Sequence, residues 1–135
     1  FAAARTVTRP SGYYIPPSLP DVVDLLERQG VTMSPVTAAT TVQGRRFRLD
    51  SLAATPYAFE GHRTVTVDGA WQPAERVEIP AGSRWVSTDQ PLGTFVVYLL
   101  EPESEDGIVA WNFVDRLLGI RRPYPVVRVE QGTGR

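Results

Sequence analysis

Apolar and polar positions change rhythm several times along the chain, and the changes mark its elements. Tyr13-Tyr14-Ile15 is an aromatic and β-branched run halted by Pro16-Pro17, which predicts a short strand. Val22, Val23, Leu25 and Leu26 then fall on one face of a helix. Ser18 is placed to cap its first turn, with Asp21 three residues on. Pro20 sits where a missing N–H costs nothing, and Gly30 stops the helix. Val31-Thr32-Met33-Ser34 predicts a second strand. Strand, helix and strand over ~20 residues predict a small right-handed βαβ unit with parallel strands.

The middle of the chain switches to a two-residue period. Thr40-Thr41-Val42 is β-branched, and Gln43-Gly44 can turn the chain. Phe47 and Leu49 then alternate with Arg46 and Arg48. His62 to Val67 alternates again, and Asp68-Gly69 is a hairpin-turn signal because both positions tolerate positive φ. Trp71 and Val77-Glu78-Ile79 would return on the partner strand, giving an antiparallel insertion of three or four strands.

Ser83 to Ser87 predicts one more short strand, followed by the clearest helical stripe. Leu92, Phe95, Val96, Leu99 and Leu100 recur at helical spacing, with Thr88 or Asp89 as the N-cap and Pro102 as the stop. Val109, Phe113 and Leu117 predict a further helix from about Ile108 to Leu118, ended by Gly119. Tyr124 to Val129 predicts a final strand. The expected architecture is α/β in the mixed α+β sense. It has a small βαβ-containing mixed sheet, about three helices and an antiparallel β-hairpin insertion. Residues 1–12 are expected as a linker, 13–129 as one domain and 130–135 as a tail.

Composition fits one globular domain: 135 residues, 42% hydrophobic and 21% charged, with a net charge of -1. With no cysteine, disulfide scaffolds, thiolate nucleophiles and cysteine-bound zinc are excluded. His62 is the single histidine, so a catalytic zinc site of the usual kind cannot be built from one chain. Every basic residue is an arginine, yet none form a basic stripe, so nucleic acid is not an expected partner. The longest apolar run, Phe95 to Leu100, is far short of the roughly 20 residues that span a bilayer. Phe1-Ala2-Ala3-Ala4 does not read as a signal peptide, and without an initiator methionine the chain is expected to be cut from a longer protein or to be a mature form.

Three places invite chemistry. Thr88-Asp89-Gln90 joins a strand to a helix N-terminus, where amides and a positive dipole end favour ligands, although an acidic cap opposes an anion. Glu60 and His62, two apart on a strand, share a face and could orient a general base. Trp71, just past a turn, is the tryptophan best placed for exposure as part of a glycan or peptide platform. A small-ligand or glycan module would use this set. A glycosidase-like acid–base pair such as Asp89 and Glu60 would need its carboxyls ~5 to 9 Å apart. The acidic run Glu101, Glu103, Glu105 and Asp106 is expected as a solvated loop, because it lacks the rhythm of a calcium loop.

Several stretches also resemble a known family. They are Gly12-Tyr13-Tyr14-Ile15-Pro16, Leu25-Leu26-Glu27-Arg28-Gln29-Gly30-Val31, Ile79-Pro80-Ala81-Gly82-Ser83 and Asp89-Gln90-Pro91-Leu92-Gly93. Leu99-Leu100-Glu101-Pro102-Glu103-Ser104, Val109-Ala110-Trp111-Asn112-Phe113 and Tyr124-Pro125-Val126 complete the set. From about Arg9 to Val129 the chain resembles the region after the catalytic domain in bacterial proteins of the carboxypeptidase A type of zinc carboxypeptidase. That family binds zinc through a His-x-x-Glu pair and a distant histidine, with a glutamate as general base. Here Arg63, Thr64 and Val65 follow His62, so no catalytic or metal residue can be carried onto this chain. The resemblance therefore implies an accessory carboxy-terminal domain with no cofactor of its own. Its partner would be an upstream catalytic domain that holds the zinc, in a secreted or periplasmic parent.

Overall fold

The computed structural model describes residues 10–54, 65–102 and 124–130, and for 51–54 and 65–68 the backbone only. In chain order the elements are β1 (Gly12–Ile15), α1 (Pro20–Gln29), β2 (Ser34–Pro35), β3 (Thr40–Gly44), β4 (Phe47–Ala54) and β5 (Val65–Trp71). β6 (Glu75–Ile79), β7 (Arg84–Ser87), α2 (Gly93–Leu100) and β8 (Val127–Val129) follow. The expected helix from Ile108 to Leu118, with Trp111, lies outside the described residues.

Four strands form the central sheet in the order β2-β7-β1-β8, with every neighbouring pair antiparallel. β1 and β2 are each antiparallel to β7, so they run the same way, as a strand–helix–strand unit requires. They are not neighbours, however, because β7 is inserted between them, which makes the unit a split βαβ. Period-two alternation gives β1 its two faces. Tyr13 and Ile15 are fully buried in one cluster with Leu19, Val22 and Leu26 of the α1 segment and Val96 and Leu100 of α2. Tyr14 turns to the other side, where it packs with Val77, Ile79, Val127, Val36 and Val42. Burying each large apolar side chain contributes on the order of 1.5–3 kcal/mol, so the first face carries most of the hydrophobic stabilisation.

α1 follows its apolar stripe, and its end follows Gly30. This residue takes φ 92°, and its N–H and that of Val31 close back on Glu27 O and Leu26 O at 3.1 and 3.0 Å. Its beginning differs from the expectation. Leu19, not Ser18, is the N-cap residue, and no side chain caps the turn. Pro20 at the first helical position makes this cheap, because it removes one of the amides that would need a partner.

The β-rich middle forms two two-stranded sheets, β3 with β6 and β4 with β5. This overturns the hairpin expected at Asp68-Gly69. Both residues lie inside β5, where Gly69 faces Leu49 and Asp68 faces Ser51. Asp50 has no opposite number, so the ladder carries a bulge at this point. Glycine is needed there for space rather than for a turn: a Cβ on Gly69 would run into the Arg48 carbonyl and the Phe47 ring. Val77 and Ile79, expected to return with Trp71 opposite His62 to Val67, pair instead with Val42 and Thr40 of β3.

The boundaries are also tied in. Ser11 N–H donates to Val129 O at 2.7 Å, and Pro10 is buried. Arg45 and Arg128 exchange backbone hydrogen bonds at 2.8 and 3.0 Å, which covers the outer edge of β8. That cover explains why all three residues of β8 are buried although it ends the sheet.

Candidate functional site

Among the described residues, buried polar groups concentrate around Glu101. α2 ends at Leu100, and Glu101 leaves the helix in an extended conformation, its N–H still bonded to Val97 O at 3.0 Å. Its side chain therefore turns into the first core face at only 7% exposure. Tyr13 Oη donates to Glu101 Oε2 at 2.5 Å, and Arg128 Nη1 donates to the same oxygen at 3.1 Å. Trp71 Nε1 donates to Oε1 at 2.9 Å. The register brings these donors together. Tyr13 faces Arg128 across β1 and β8, and Trp71 faces Phe47 across β5 and β4.

A second tier of contacts holds the donors. Arg128 Nε lies 2.7 Å from Glu130 Oε2, which also takes Arg45 Nη1 at 3.3 Å. Arg45 Nε donates to Gln72 O at 2.7 Å. The Arg128 guanidinium stands 5.4 Å from the centroid of the Trp71 ring, close enough for a cation–π contribution. Trp71 meets Phe47 and Tyr124 edge-on at 5.3 and 6.2 Å. Tyr124 Oη donates to Leu100 O at 2.7 Å, one residue before Glu101. Burial, followed by the Glu101 charge, pushes the Tyr13 phenol far above its ordinary range. The same two causes raise Tyr124.

Taking an acid and a guanidinium out of water is costly. The cost is offset only when geometry and additional hydrogen bonds satisfy both groups. Here Glu101 receives three donors across both oxygens, and Arg128 is shared between two carboxylates. The chemical outcome is a knot of ionised and phenolic groups that joins β1, β5, β8 and the end of α2. A carboxylate so engaged has its lone pairs directed at internal donors, so the cluster holds chain segments in register rather than activating a water.

The residues singled out by sequence fall in different places. Thr88 is buried, and its Oγ1 donates to Pro10 O at 2.6 Å. Gln90 braces the segment before β2, since its Oε1 accepts from Thr32 N–H at 2.8 Å and its Nε2 donates to Thr32 O at 3.0 Å. Gln90 Nε2 also reaches Ser87 O at 2.7 Å. Asp89 is exposed, and its own N–H donates to Ser87 Oγ at 3.0 Å. Neither Thr88 nor Asp89 caps α2: Leu92 is the N-cap residue, without a side-chain bond. Trp71 is half-buried and packed against the core, not an exposed platform residue. Glu60 and His62 lie outside the described residues, as do Glu103, Glu105 and Asp106. Glu101, expected in a solvated loop, is instead the centre of the buried cluster. One signal could have found this site. Arg128 is a lone charge in the apolar run Pro125-Val126-Val127-Arg128-Val129, and a buried charge demands a buried partner.

Among the described residues no three His, Cys, Asp or Glu side chains come together to hold a metal. No described helix is long and apolar enough to cross a membrane.

Fold and site together define a small mixed α+β domain with a buried ionic knot. Comparison with known proteins makes it similar to one part of a larger carboxypeptidase-like protein. The chain is 33% identical over 129 residues to Carboxypeptidase 2 of Trichophyton tonsurans, a match that covers 95% of the chain and 23% of that protein. It is 31% identical over 129 residues to Carboxypeptidase 2 of Trichophyton equinum, covering 95% and 23%, and 30% identical over 126 residues to that of Trichophyton rubrum, covering 93% and 23%. The chain thus spans about a quarter of the length of the curated relatives it matches. These relatives are fungal, so the likeness does not support the bacterial setting expected from sequence. No family model matches the chain. No solved structure matches it either.

Proposed function

We propose that the chain is a non-catalytic, carboxy-terminal accessory domain of a zinc carboxypeptidase-like protein, packed on an upstream peptidase domain that it assists. The observation that carries this reading is the mismatch of coverage: 95% of the chain aligns with 23% of Carboxypeptidase 2. The knot around Glu101 supports it, because it spends the buried charges of the described part on internal bonds. On this reading zinc belongs to the parent, where it activates water for peptide hydrolysis. The parent works outside the cytoplasm, as a secreted or periplasmic protein.

The test compares two purified proteins, the chain alone and the full-length protein that carries it. Zinc content by mass spectrometry and release of carboxy-terminal residues from peptides are measured on both. Stoichiometric zinc and turnover in the full-length protein alone support the proposal. Metal-dependent turnover by the chain alone overturns it.

A further inference from the structure

We propose that the proline-lined groove beside α1 is the seat of a basic segment of the larger protein, an inference that rests on the accessory-domain reading above. The groove holds about 200 Å³ between the start of α1 and the Gly82 turn. Pro16, Pro17, Pro20 and Val23 make its apolar surface, with Asp24 and Glu27 of α1 and Arg84 of β7 also in the lining.

Its chemistry selects an occupant. Prolines offer no N–H that needs a partner and lose no side-chain entropy on docking, so the apolar surface is pre-organised. It suits the methylene stem of an arginine or lysine, which packs on apolar surface while its charged head reaches for a carboxylate. Asp24 and Glu27 lie one helical turn apart on the exposed side of α1, where that head would arrive. Among the described residues Asp24 is paired with Arg28 at 3.7 Å, with both side chains about two-thirds exposed (67% and 69%). A pair of that kind contributes little, so an incoming cation displaces Arg28 easily. Arg84, half-buried in the lining at the start of β7, takes a backbone carbonyl or carboxylate of the same segment. The relatives continue for about three quarters of their length beyond the matched part, which leaves ample chain to supply it.

Carboxylate footprinting of the full-length protein tests this, with a carbodiimide and glycine ethyl ester as the label and mass spectrometry as the readout. Exposed Asp89 and Glu78 serve as references. The expected result is labelling of Asp24 and Glu27 several-fold slower than the references, with Asp24 becoming reactive in the surface variant Glu27→Arg. Asp24 and Glu27 reacting as fast as Asp89 while Glu78 is shielded would overturn the groove and leave the accessory reading standing, with docking through the β3–β6 face. Equal, fast labelling of all four would overturn the groove and leave the accessory reading to its own zinc and turnover test. Shielding that disappears on dilution would identify a second copy as the occupant and overturn the proposal.

Discussion

The two faces of β1 are closed by different means. On the Tyr13 side, helices α1 and α2 supply a broad apolar layer, and the Glu101–Arg128 knot crosses it with directional bonds. On the Tyr14 side, the buried cluster among the described residues is Val77, Ile79 and Val127, and the half-buried Tyr14 and Trp85 rings lie 4.7 Å apart. Area is non-directional, so apolar packing alone tolerates sliding; a buried ionic bond tolerates almost none. The first face therefore sets which segments meet, and the second mainly adds burial. Each mutation below tests that division.

The largest effect is expected from Glu101→Leu. It strands Arg128 in a buried site and should cost about 3–5 kcal/mol in urea unfolding. Adding Arg128→Met removes the stranded charge and should recover most of the loss. A single substitution costing less than about 1 kcal/mol, the range of an exposed pair, would mean that the knot does not hold the face together.

Tyr13→Phe deletes a hydrogen bond to a charged group and should cost about 1.5–3 kcal/mol. It also sharpens a pH effect. Both Tyr13 and Tyr124 hold their protons well above the ordinary phenol range in the folded state. Below about pH 10 the unfolded chain keeps these protons too, and the stabilisation is fully present. Above it the unfolded state ionises first, so stability should fall by about 1.4 kcal/mol per pH unit for each tyrosine. Tyr13→Phe should reduce that alkaline slope by its own share, measured by urea midpoints from pH 8 upward.

On the other face Ile79→Val removes one methylene from the small cluster and should cost only about 0.5–1.5 kcal/mol. A loss equal to that of Glu101→Leu would erase the distinction between the faces. The smallest effect is expected at the exposed Arg48–Asp50 pair, bonded at 2.8 Å. Arg48 holds the Asp50 carboxyl below its ordinary range, chiefly through that hydrogen bond. The resulting stabilisation is present above the unfolded carboxyl value and is lost as pH falls. Arg48→Ala should return Asp50 upward in an NMR titration without a resolvable change in Tm.

How much of this was legible depends on how local its cause is. The α1 stripe and the Gly30 stop are local, and sequence places both within a residue or two. The strand directions around α1 were legible as well, but not the insertion of β7, whose partners β1 and β2 lie about 70 and about 50 residues away. Asp68-Gly69 reads as a turn because glycine has two uses. The tight backbone approach at the bulge answers to the same residue as positive φ does. Thr88 reads as a cap, yet the Pro10 carbonyl, 78 positions earlier, captures its hydroxyl. Glu101 was hidden for the same reason, since Tyr13 is 88 residues away and Arg128 is 27. Its neighbours in sequence, acidic residues around one proline, read as a solvated loop.

The pair of hydrogen bonds between Gln90 and Thr32 has a consequence at the sheet's margin. β2 is a two-residue edge strand, and edges of this kind recruit foreign strands. By occupying both backbone groups of Thr32, the Gln90 amide imitates one residue of a neighbouring strand. The margin is blunted by a side chain of the same molecule, with Pro35 adding a position that has no N–H to offer. Replacing Gln90 would reopen that template for cross-molecular pairing and, with it, a route to aggregation.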